Sequence, residues 1–198
     1  MRAHLGLVAT LPLILVACAA PAPTSPTPEP TIPTAPAVPD GWQVVASDAG
    51  DVRLAAPPDL AVLDLASGIM LQGEMVGGTT PIQVWATGPR GASVQPAPGE
   101  TLRAWLEDSG WVPKEGSGGI TEVGDASERD VWLPAGRALE VAITAQPGTP
   151  DASRVVAYAI ETADGFGVLQ ILGQADVMEA RRGDLALLPL LVSFGDGS

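Results

Sequence analysis

Side chains able to do covalent or metal chemistry are scarce in this 198-residue chain. It holds one cysteine, Cys18, one histidine, His4, and one lysine, Lys114. Both Cys18 and His4 fall at the N-terminal end. There Arg2 supplies a positive start, and residues 5–16 form an apolar run of about a dozen residues, too short to span a bilayer comfortably. Residues 1–17 therefore read as a signal peptide. With it removed, no histidine remains. That excludes Ser-His-Asp and Cys-His nucleophilic catalysis, and histidine-ligated zinc, copper, iron or haem. A Ser-Lys arrangement has only Lys114 to draw on, and no S-x-x-K string leads to it. A carboxylate pair for glycoside hydrolysis stays open, because 23 acidic residues will always place two near one another. Asp125, Glu128 and Asp130 form a compact acidic stretch, a weak calcium candidate that misses the EF-hand spacing. No nucleotide fingerprint occurs, and residues 116–119 are glycine-rich without the lysine that would reach a phosphate. No cofactor is expected.

The residues Leu15, Val16, Ala17 and Cys18 resemble the bacterial lipobox. The resemblance implies that the Cys18 thiol receives a diacylglycerol and that the peptide is cut before it. Chemistry agrees with this: a thiol is a strong nucleophile for thioether formation, and small Ala17 suits a peptidase cleft. Two or three acyl chains would anchor the protein durably. The expected location is extracytoplasmic, lipid-anchored to the bacterial cell membrane or outer membrane, with membrane lipid contacted through Cys18.

Residues 18–39 read as a linker. Its prolines, at 21, 23, 26, 28, 30, 33, 36 and 39, forbid helix and sheet ladders and favour polyproline II. At about 3.1 Å per residue the tract reaches roughly 60 Å from a bilayer. The net charge of −13 becomes −14 once Arg2 is lost, a balance that repels nucleic acid and anionic headgroups.

Residues 40–198 form the expected folded domain, long enough to bury a core without disulfide or metal. Two-residue alternation marks residues 51–54, 81–85 and 137–144, the last with Leu139, Val141 and Ile143 on one face. Val156, Tyr158 and Ile160 form another such face, and residues 167–172 come next. Asp164-Gly165 between these last two suits a tight hairpin. Leu102, Trp105 and Leu106 predict a helix over residues 100–109 that stops at Gly110. Asp184 is placed to cap a second helix over residues 185–194, in which Pro189 either kinks the helix or starts a new turn. The expected fold is α+β, a central antiparallel sheet flanked by helices.

Gly41-Trp42 ahead of a short strand, Asp51 to Pro57, Val131 to Val141, then Tyr158, Asp164 to Leu169, and Ser193-Phe194 ending a C-terminal helix occur in an order that resembles the PsbP/Mog1-like fold. That fold, an αβα sandwich, is found in actinobacterial lipoproteins of the LpqN type. The resemblance spans roughly residues 41–195 and implies a non-enzymatic adaptor, assembly or accessory protein of the cell envelope, with a protein or envelope partner. It carries over no catalytic residues. Two alternatives stand beside it: a small-ligand or glycan binder using a tryptophan-lined cleft, with Trp111 and Trp132 as the exposed candidates, and a hydrolase with a carboxylate pair. Trp105 is expected in the core, and Trp85 on the sheet face opposite Ile82, Val84 and Ala86.

Overall fold

A computed structural model describes residues 31–195 apart from 66–67, 76–80, 92–94 and 118–119. The expected signal peptide, the lipobox, Cys18 and most of the linker lie outside the described residues. Residues 31–39, the end of the linker, form neither helix nor strand.

Two antiparallel sheets carry the fold. The smaller joins β1 (Gln43–Ala46), β2 (Val52–Ala56) and β10 (Val192–Phe194) in the order β1-β2-β10. The larger contains β3 (Ala61–Leu65), β4 (Gly68–Gln72), β5 (Ile82–Thr87), β6 (Ser127–Leu133), β7 (Gly136–Ala145), β8 (Ser153–Thr162) and β9 (Gly165–Gln174). Its order is β3-β4-β5-β9-β8-β7-β6. Two meanders are thus zipped together along β5 and β9. The chain leaves β5, passes through α1 (Leu102–Asp108), and starts again at the far edge with β6. That crossing lays α1 over β7 and β8.

The larger sheet is apolar on both faces, the signature of a sheet covered on both sides. Leu139, Val141 and Ile143 of β7 join Val155, Ala157 and Ala159 of β8 beneath Trp105 and Leu106 of α1. The alanines leave room for the indole, and Trp105 is 1% exposed. On the opposite face, Tyr158, Ile160, Leu169, Ile171, Ile82 and Val84 pack with Val52, Leu54 and Val192 of the smaller sheet.

The α+β antiparallel architecture matches the sequence expectation, but the helix flanking is one-sided. One face carries α1; the other is covered mainly by the three-stranded sheet, with short helices α2 (Ala175–Ala180) and α3 (Arg182–Leu185) beside it. The expected C-terminal helix over 185–194 does not form. Proline in a helix interior removes a hydrogen bond and clashes with the preceding turn. Here Pro189 sits in the first positions of a 3₁₀ turn, Leu188–Leu190. The chain then extends, and Val192 pairs with Leu54 as the third strand of the small sheet. Helix α1 forms where expected. Thr101 caps it, its hydroxyl accepting from the Ala104 amide at 3.2 Å. Gly110 ends it at φ 78°, where a Cβ would be strained. The β8–β9 hairpin also forms, with Ala163-Asp164 as its two-residue loop and Gly165 opening the return strand.

Candidate functional site

Building from the strands upward, one row of side chains crosses the sheet on the face away from α1: Arg129 of β6, Glu140 of β7 and Tyr158 of β8, each directly opposite the next. Glu140 is buried at 9% exposure, between the apolar Leu139 and Val141 of its strand. A buried carboxylate needs a compensating charge and hydrogen bonds. Arg129 supplies both: its Nε and Nη2 donate to the two Glu140 oxygens at 2.8 and 2.9 Å, the bidentate fork geometry. Burial, the nearby Glu140 charge and a hydrogen bond to Glu140 together push the Tyr158 phenol well above its ordinary range. The hydrogen bonds and charge of Glu140 likewise raise Arg129.

The adjacent row is Ser127, Ala142, Val156 and Ile171. On its far side stands Arg154, exposed on the same face of β8 as Val156 and Tyr158. Met178 of α2 and Leu185 of α3 close over this ground. The result is a cleft of about 280 Å³ with a mixed floor, also lined by Glu179 and Arg182. Chemically it offers donors and an apolar bed. It contains neither a thiol nor an imidazole, and both Glu140 oxygens are committed to a guanidinium.

A smaller cleft of about 200 Å³ lies on the α1 face, bounded by Leu102, Phe166, Asp130 and Arg137. Trp132 is 39% exposed on the same face of β6 as Asp130 but does not line it. Trp111 is half-buried against the α1 core, and its carbonyl accepts from the Gln170 side chain of β9. The two indoles are thus anchored three strands apart, and neither lines either cleft. Trp105 is core, as expected, at 6.1 Å centroid distance from Phe166. Trp85 faces away from Ile82, Val84 and Ala86 and is half-buried.

The three carboxylates of the calcium candidate lie apart in their contacts. Asp125 precedes β6; Glu128 approaches Arg103 at 4.0 Å, and Asp130 pairs with Arg137 at 3.3 Å. Each carboxylate on the strand faces its own arginine, and among the described residues no three acidic, histidine or cysteine side chains gather to hold a metal. Of the glycine-rich 116–119 stretch, Gly116 and Ser117 lie in a turn and the last two glycines fall outside the described residues.

Sequence reasoning missed Arg129, Glu140, Tyr158, Arg154 and Arg182 as a set. The available signal was a lone glutamate inside a ten-residue, largely apolar strand. Alternation assigned it to the face opposite Leu139, Val141 and Ile143, which passes for a solvent face until the small sheet and α2–α3 are seen to cover it.

No protein-family model matches the chain, and no curated protein does. Among solved structures it is similar to cyanobacterial PsbP (CyanoP) from Synechocystis sp. PCC 6803, at 7% identity and a TM-score of 0.46. That match covers 78% of this chain and 92% of the other.

Proposed function

We propose that this protein is a non-catalytic, membrane-tethered accessory lipoprotein of the extracytoplasmic side that binds a protein partner. The lipobox-like Leu15-Val16-Ala17-Cys18 and the proline-rich tract support the tether and the standoff. The observation that carries the partner is the contrast between the two edges of the large sheet. At one edge β6 begins Ser-Glu-Arg-Asp, charges of the kind that discourage strand pairing. At the other, β3 reads Ala-Val-Leu-Asp-Leu, with Leu63 39% exposed and no lysine, arginine or proline. In the face of the sheet, Leu63 continues through Met70 to Trp85, both half-buried, beyond the strands that α1 covers. An edge strand that pairs only with β4 among the described residues, carries the single charge Asp64 and lies beside an apolar row suits a partner that adds a strand and packs side chains on the face.

The test is a photo-crosslinker placed at Ala61 in the full chain in native membranes. One discrete protein adduct is expected there, lost with Leu63→Lys, and none from a crosslinker at Glu128. Equal adducts from both edges, or a glycan array that binds the protein while crosslinking yields nothing, overturns the reading. Glycan or ligand binding through a tryptophan cleft has less support, since Trp111 and Trp132 stand apart. A carboxylate-pair hydrolase has less still, since the buried Glu140 of the larger cleft is held by Arg129 and has no oxygen free to deliver a proton.

A further inference from the structure

We propose that the cleft between the large sheet and α2–α3 is a binding site for a small amphiphilic anion, a short apolar chain ending in one carboxylate. It is distinct from the partner surface: the cleft lies over β6–β9, whereas the proposed partner edge is β3, at the opposite end of the sheet.

Charge makes the first argument. The chain carries −13 overall, yet three of its few arginines, Arg129, Arg154 and Arg182, converge on this one cleft. They are not equivalent. Arg129 is spent on Glu140. Arg154 makes no ion pair with any described residue. Arg182, the first residue of α3, reaches Glu179 of α2 only at 3.7 Å, with 81% of its side chain in solvent. Two guanidinium groups therefore stand at the rim with donors to spare. Guanidinium forks match carboxylate geometry, and charge-assisted hydrogen bonds are the stronger kind. The cleft holds three arginines against two glutamates, Glu140 and Glu179. That leaves a local balance of one positive charge, suited to a monoanion.

Surface chemistry makes the second. Between the polar row of Glu140 and Tyr158 and the rim at Arg154 run Ala142, Val156 and Ile171, faced by Met178 and Leu185. This is an apolar bed with its cations at the mouth. Met178 adds a flexible thioether that adapts to the shape of an occupant. A cleft of about 280 Å³ falls just below the usual range of ligand sites, which starts at about 300 Å³, so the occupant is short.

The experiment titrates the full chain calorimetrically with hexanoate, hexanol, hexylammonium and acetate. Hexanoate is expected to bind one to one, with each of the other three at least about tenfold weaker. Arg154→Gln with Arg182→Gln is expected to weaken hexanoate by about tenfold or more without moving the melting temperature, since both side chains are exposed. Ala142→Leu, which fills the floor, is expected to abolish binding. Hexanol binding as tightly as hexanoate would show that the arginines are bystanders. Acetate binding equally well would show that the apolar bed is. Either result, unchanged affinity in the double arginine variant, or no hexanoate heat at all overturns the proposal.

Discussion

At the scale of single residues, the Arg129–Glu140–Tyr158 row ties three strands together around one buried carboxylate. Tyr158 is the only tyrosine in the chain, so its ionisation can be followed in absorbance without overlap from another phenol. Its folded pKa is raised by burial first and by Glu140 second. An unfolded tyrosine titrates at about 10. The stability this group contributes is therefore fully present below about pH 10 and declines as pH climbs from there through the folded value. The native chain should show no phenolate at about pH 11 until it unfolds, and its urea midpoint should fall between about pH 9 and 11. Tyr158→Phe should lose about 1 kcal/mol at neutral pH and remove this part of the alkaline decline. Glu140→Gln should bring the phenol only part of the way back, because desolvation is the larger cause and stays. A native tyrosine that titrates at about 10 would contradict this account of the site.

At the scale of elements, α1 is seven residues long, too short to persist in water on its own. Its existence depends on the cap at Thr101 and on Trp105 seated over Ala157 and Ala159. Thr101→Ala should cost about 1 kcal/mol, and Trp105→Ala about 3–5 kcal/mol, both read from urea unfolding. The larger loss should report on the whole α1 face, because Phe166 at the β8–β9 hairpin packs against the same indole. That hairpin is also clipped by Gln95. Its side chain accepts from the Phe166 amide at 2.7 Å and donates to the Phe166 carbonyl at 3.2 Å, standing in for a strand neighbour. The C-terminal segment shows how one residue redirects an element. An apolar run that reads as helix is divided at Pro189. Beyond it, Val192 gains more from a strand beside β2, where it is 2% exposed, than from a helix already broken by the proline.

For the whole molecule, the acidic net charge and the proposed tether set how the domain meets its surroundings. Metabolic labelling with a palmitate analogue should mark the native chain and leave Cys18→Ala unmarked; label on both would remove the lipid anchor from the reading. The two proposed surfaces also separate cleanly. Leu63→Lys lies at the β3 edge and should leave hexanoate affinity unchanged, whereas changes at Arg154 and Arg182 should leave the Ala61 crosslink unchanged. Surface substitutions of this kind cost within about 0.5 kcal/mol, so loss of either signal would not be a folding artefact.

Much of this protein is legible from its residues in order, because those features are local. Proline density, a short apolar run before a cysteine, period-two alternation in residues 137–144 and the Leu102-Trp105-Leu106 spacing each express a preference of neighbouring residues. The last two place β7 and α1, and the same alternation places β8 and β9, before any contact is known. The hairpin of β3 and β4, the weakly alternating and charged β6, and α2 escaped, since their sequences carry no strong local preference. What tertiary structure alone decided is which face is covered and which polar groups meet. Glu140 becomes a buried carboxylate held by a largely exposed guanidinium only because β6 brings Arg129 opposite it and β8 brings Tyr158, and because α2–α3 lies over that part of the face. Cross-strand register joins residues such as Arg129 and Tyr158 that lie 29 positions apart, and no local preference encodes that pairing.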